Sequence, residues 1–217
     1  MLGPDWLITL KYAKRSLQLR GNVMAMSMKK GVQPINIVIL ALCSAIATVL
    51  AIISVQLIPV VTIPGVSGLF LAAGFYVPFG LWWGIWGALA GGISGFLLIA
   101  AGTPVPLASF FFIGDLLEAV VPLIAFRVLK LDVGLRNAKS LVGYIIFGVI
   151  GGALISSLVG PTGIVVTAGL SMDAWLPTFI PWLIGDMIVI AVIGIPLLRI
   201  LTPVIERMPG YVKGYLS

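Results

Sequence analysis

"INIVILALCSAIATVLAIISVQ", residues 35–56, runs for 22 positions without one charged side chain. As an α-helix rising 1.5 Å per residue it measures about 33 Å, enough to cross a hydrocarbon core of ~30 Å. Its apolar side chains follow one another instead of alternating at period two, which excludes the strand of a membrane barrel. A spanning segment without a barrel must be a helix, because only a helix satisfies its own backbone polar groups in lipid. A cleaved signal peptide is the alternative for this first run. The run begins behind a long basic lead and continues past any plausible cleavage site, and Leu42 is too bulky before Cys43 for a lipoprotein box, so it reads as a span.

The rest of the chain agrees. Hydrophobic residues make up 60% of it and charged residues 9%, with a mean hydropathy of +1.20. A soluble domain carries roughly 25% charged residues. The fold class is therefore an all-α integral membrane protein, a bundle of six transmembrane helices behind a basic amphipathic N-terminal segment.

The spans are expected at about 35–56, 65–81, 82–102, 107–130, 140–160 and 175–201. Pro78 and Gly80 mark the end of the second, "TPVP" at 103–106 closes the third, and "GPTG" at 160–163 closes the fifth. The stretch "GIVVTAGL", 163–170, is too short to span and reads as a re-entrant or capping loop. The domain organisation is a lead over residues 1–33, a membrane domain over 34–205 and a tail over 206–217.

Charge gives the orientation, since lysines and arginines gather in cytoplasmic loops. Lys11, Lys14, Arg15, Arg20, Lys29 and Lys30 lie in the lead. Arg127, Lys130, Arg136 and Lys139 lie in or beside the connection between the fourth and fifth spans, and Arg199, Arg207 and Lys213 at the C-terminal end. These are all 13 basic residues of the chain. They place both termini on the cytoplasmic side of a plasma-membrane protein. The net charge of +6 is then accounted for by topology and anionic lipid, with no need for nucleic acid. Within the lead, Trp6, Leu7, Leu10, Ala13 and Leu17 share one helical face and Lys11, Lys14, Arg15 and Gln18 the other, as in a helix lying in the interface or docking on a partner. Trp82, Trp83 and Trp86 read as part of the interfacial aromatic belt.

The chain has one cysteine, Cys43, and no histidine. That excludes an internal disulfide and removes the commonest general base and metal ligand. No lysine falls within a span. The reading is a non-enzyme without metal or cofactor, and any ATP hydrolysis belongs to another protein, because no phosphate-binding Gly-Lys-Ser/Thr loop is present.

Against this shortage of charge, "FFIGDLLEAVVPLIAFR", 111–127, buries Asp115 and Glu118 in an apolar span, and "WLIGDMIVIAVIGIPLLR", 182–199, does the same with Asp186. Asp115 and Glu118 share a helix face, and all three acids fall at similar depth. An ionised Asp at the bilayer centre costs roughly 2.5–3.5 kcal/mol, so the three must face the bundle interior or a watery cavity, and no Lys or Arg lies level with them. They are either neutral hydrogen-bond donors that hold helices together or the lining of a ligand or ion pathway open to the outside. Trp182, four residues before Asp186, lies on the same face and suits a cationic or heteroaromatic ligand. The candidate substrate-binding residues are therefore Asp115, Glu118, Trp182 and Asp186. Gly114, Gly185 and the glycines of 87–95 allow helices to approach closely, as do Ala41 and Ala45, four apart on the first span.

Six helices with both ends inside, the Ala41/Ala45 pair, and "FLAAGFYVPFGLWWGIWGALAGGISGFLL" (70–98) followed by "FFIGDLLEAVVP" (111–122) resemble the substrate-binding S components of energy-coupling factor (ECF) transporters, over about residues 35–205. The resemblance implies a vitamin- or micronutrient-capturing subunit working with a transmembrane coupling subunit and two ATPase subunits. It implies that Ala41 and Ala45 form the partner interface and that the outer halves of the last three helices hold the solute. The long basic lead departs from that pattern. The C-terminal half, "LLEAVVPLIAFRVLK" (116–130) with "LRNAKSL" (135–141) and "WLIGDMIVIAVIGIPLL" (182–198), is also similar to the membrane sensory domain called MASE1. The alternative is thus a membrane sensor or an accessory subunit of a larger complex, and a third reading is a proton-coupled carrier with the acids as relays.

Overall fold

A computed structural model of the protein describes residues 33–58, 67–100 and 105–212. The chain divides into two units, Met1–Pro34 and Ile35–Ser217. The amphipathic lead lies outside the described residues, and so does Lys213. Among the described residues there are helices, turns and bends but no strand.

Six helices follow one another: α1 (Pro34–Leu57), α2 (Ala73–Trp83), α3 (Ile85–Ala100), α4 (Val105–Val128), α5 (Ala138–Ala168) and α6 (Met172–Ile205). The expected number of helices is present, but their lengths are unequal. Four, α1, α4, α5 and α6, are long and apolar enough to cross a membrane, and their outer faces carry exposed Ile, Leu and Val. With 11 residues, α2 is about 16 Å long and cannot cross a bilayer alone.

The second span therefore needs correction. Helix is expected from residue 65, yet residues 67–72 run as a bridge, bends and turns. This backbone is satisfied by α1. The Ser67 hydroxyl donates toward the carbonyls of Ser54 (3.0 Å) and Ile58 (3.1 Å), and Leu71 N–H donates to Ser54 Oγ at 2.8 Å. Gly68 packs backbone to backbone on α6, where a Cβ on Gly185 would sit 2.2 Å from the Gly68 carbonyl oxygen. Irregular backbone inside a membrane protein survives only where protein covers it in this way.

Pro78 and Gly80, expected to end that helix, lie inside α2, which stops at Gly84 (φ 64°). Likewise "GPTG" does not end α5. The helix carries Pro161 internally and continues to Ala168, where Gly169 (φ 64°) stops it. The segment expected as a capping loop, 163–170, is thus mostly the last turns of α5. A proline inside a helix is tolerated where surrounding helices support the freed carbonyl.

Glycines set the packing of the first hairpin. A Cβ on Gly87 would lie 2.0 Å from the Phe79 carbonyl oxygen, and one on Gly91 or Gly92 within 3.0 Å of an α4 carbonyl oxygen. The expected close approach therefore holds for α3 against α2 and α4. Helix α1 instead packs closely along no other helix. Ser54 ties one end of it. At the other end an apolar groove of about 430 Å³ opens between α1 and the body, lined by Ile35, Leu42, Ile46, Phe79, Trp83 and Met208 among others.

Arg127, Arg136 and Arg207 gather at that second end, the basic end. Arg127 donates to the carbonyls of Leu81 and Val212, and Arg136 pairs with Glu206 at 2.7 Å. Trp82, expected in an aromatic belt, is instead a core residue, 1% exposed, with its indole N–H donated to Thr202 Oγ1 at 2.9 Å.

Candidate functional site

The three acids come from two helices and meet. In α4, Asp115 and Glu118 lie three residues apart. In α6, Asp186 lies on the turn that packs against the extended 67–72 segment. Their exposures are 1%, 0% and 1%. The Glu118 carboxyl faces the side chains of Tyr76 on α2, Ser156 on α5 and Asp186 on α6, and the Tyr76 hydroxyl also faces Asp115. Tyr76 donates to Glu118 Oε2.

The surrounding packing is tight. A Cβ on Gly95 of α3 would lie 2.2 Å from Asp115 Oδ2, and one on Gly152 of α5 would lie 2.7 Å from the Glu118 carbonyl oxygen. The acids were expected to line a pocket open toward one face of the membrane; they are enclosed instead.

Trp182 joins the group from one turn above Asp186. It is 7% exposed, its N–H donates to Ser156 Oγ at 3.3 Å, and its ring lies 5.2 Å from that of Phe111. Gly160 makes the space for it, since a Cβ there would come within 2.5 Å of the indole. Gly185 is needed for close approach as expected. Gly114 is not, because a Cβ there would meet only ordinary contacts at 3.6 Å.

Ala41 and Ala45 are exposed on the side of α1 turned away from its buried residues Cys43, Ala47 and Ala51. No helix of this chain covers them, and they take no part in the carboxyl cluster.

Charge around the cluster is one-sided. No ion pair between described residues involves Asp115, Glu118 or Asp186; both ion pairs belong to Arg136 at the basic end. Asp115 Oδ2, Glu118 Oε1 and Asp186 Oδ2 are buried without a hydrogen-bond partner. Among the described residues no group of three His, Cys, Asp or Glu side chains is arranged to hold a metal ion.

Sequence reasoning missed Tyr76, Tyr144 and Ser156. A signal existed for the tyrosines, since a phenol in the middle of an apolar run needs a partner for its hydroxyl. Tyr144 finds one in the Ile190 carbonyl at 3.4 Å. That contact joins two π-helical stretches, Ile145–Gly152 within α5 and Ile190–Gly194 within α6, which pack against each other.

No protein-family model matches this chain, and no curated protein or solved structure matches it either. What the site can do is therefore argued from its own geometry. It holds a desolvated set of acceptor oxygens, a phenol and an indole, drawn from four helices and without a base.

Proposed function

We propose that the protein is a solute-binding membrane subunit, of the S-component kind, in an ECF-type micronutrient importer. In this reading it captures solute at the outer face and docks on a coupling subunit served by two ATPases. The observation that carries the reading is the convergence of Asp115, Glu118 and Asp186 with Trp182 inside the bundle. Three acids held together without a base are expensive as structural glue and repay that cost if they receive a ligand. In the proposed orientation the basic end is cytoplasmic and solute arrives from the opposite end, where the irregular segment 67–72 reaches down to Asp186. The bare Ala41/Ala45 face of α1 offers a coupling helix the close approach that small residues permit.

Mass spectrometry of small molecules that co-purify with the protein tests the reading. A specific solute is expected with the native chain and is expected to be lost from Asp186→Asn. A chain that purifies empty from cells grown in rich medium, and that binds no coupling protein, refutes it.

A further inference from the structure

The solute-binding reading leaves the chemistry of the bound group open, and the three unpartnered oxygens narrow it. We propose that the cluster binds the ammonium head of a primary amine in exchange for protons. This rests on the proposed site but not on the importer's identity.

Each acid presents one oxygen without a partner, Asp115 Oδ2, Glu118 Oε1 and Asp186 Oδ2, on carboxyls no more than 1% exposed. The neighbouring elements have no donor to spare for them. From α2, Tyr76 already gives its hydroxyl to Glu118. From α5, Tyr144 gives its hydroxyl to the Ile190 carbonyl, and Ser156 accepts from Trp182. Helix α3 offers only Gly91 and Gly95 at the contact. Every titratable group facing the cluster is thus an acid or a phenol.

Acceptors that face one another need hydrogen between them. A carboxyl supplies it by keeping its proton, and a visiting donor supplies it by replacing that proton. An alkylammonium carries three N–H donors and no acceptor, matching three orphaned oxygens, whereas a quaternary ammonium carries no donor. Trp182 adds an aromatic face beside Asp186 on which a cation is attracted to the ring.

The exchange balances. One R–NH₃⁺ enters, one carboxyl O–H proton leaves to water, and the charge buried in the bundle is unchanged. Entry without proton release would bury a net charge at a cost of several kcal/mol. Because protons and amine compete, affinity for the amine rises with pH, by up to about tenfold per unit for one exchanged proton.

The test uses the full chain in detergent with minimal buffer and a pH indicator, titrated with methylammonium chloride. Sodium chloride and tetramethylammonium chloride serve as controls. The expected result is saturable release of about one proton per methylammonium bound, with none for either control. A Glu118→Gln/Asp186→Asn variant with unchanged circular dichroism is expected to lose the release. Should that variant fail to fold, Asp115→Asn leaves the Glu118–Asp186 contact in place and is expected to weaken methylammonium about tenfold or more, the worth of one charge-assisted hydrogen bond.

No saturable release, equal release with tetramethylammonium, or release that persists in the folded variants overturns the proposal. A neutral co-purified solute would sustain the capture reading and overturn this one. Proton release by methylammonium from a chain that carries no solute and binds no coupling partner would do the reverse.

Discussion

Replacing Tyr76 by Phe removes one hydroxyl from a sealed site and leaves the ring packing intact. Tyr76 and Glu118 are both 0% exposed, so no water takes the place of the lost donor. Glu118 Oε1 already lacks a partner, and the substitution takes the Tyr76 donor from Oε2 as well. Leaving a buried acceptor unpaired costs about 1–3 kcal/mol, while interhelical hydrogen bonds in membrane proteins average ~0.6 and reach ~1.7 kcal/mol. A site with no spare donor belongs at the upper end, so a loss of about 1.5 kcal/mol is expected.

The assay is unfolding by sodium dodecyl sulfate in mixed micelles, followed by tryptophan fluorescence. A double-mutant cycle with Glu118→Met isolates the pair, because the thioether offers no comparable acceptor. A coupling of about 1–2 kcal/mol is expected. Coupling below about 0.3 kcal/mol would mean that the phenol and the carboxyl are neighbours without being bonded, and the account of the cluster as a hydrogen-bonded unit would fail.

Three further outcomes follow from the same geometry. Gly87→Ala sets a methyl 2.0 Å from the Phe79 carbonyl oxygen, a backbone atom that cannot rotate away. A loss of about 3 kcal/mol or more is expected, read as a fall in monodisperse protein on size-exclusion chromatography. Ser54→Ala removes the acceptor of Leu71 N–H at 2.8 Å; faster hydrogen exchange at Leu71 and about 1–2 kcal/mol of destabilisation are expected. Arg136→Ala breaks an ion pair whose side chains are 55% and 33% exposed. It is expected to cost less than about 1 kcal/mol and to matter less as salt is raised, as screened surface pairs do.

The helical class, the membrane setting of the apolar runs and the convergence of the acids were legible because each rests on a cost that nothing else in the chain offsets. Long uncharged runs cannot stay in water, and acids on them cannot face lipid. Helix boundaries were less legible. Pro78 and Pro161 look like stops from sequence, but whether a proline ends a helix depends on what surrounds the freed carbonyl. The extended segment 67–72 was hidden because its apolar residues suit a helix equally well. Its partners, Ser54 and the bare backbone at Gly185, lie 13 and more than 100 positions away from its first residue, Ser67. Trp82 was misplaced for a similar reason, since its hydroxyl partner, Thr202, is 120 positions distant.

The π-helical stretch Ile145–Gly152 stands between Tyr144 and Ser156, and it makes the number of residues there a fixed quantity. Deleting one residue would let the stretch tighten to an ordinary helix and turn everything beyond it by about 100°. Ser156 would swing off Glu118, and Gly160 would leave the underside of the indole. Side-chain identities along this segment are open to drift, but its length is not. Among descendants of this gene, insertions and deletions between positions 144 and 156 should be rarer than substitutions, and any that occur should travel with loss of the acids.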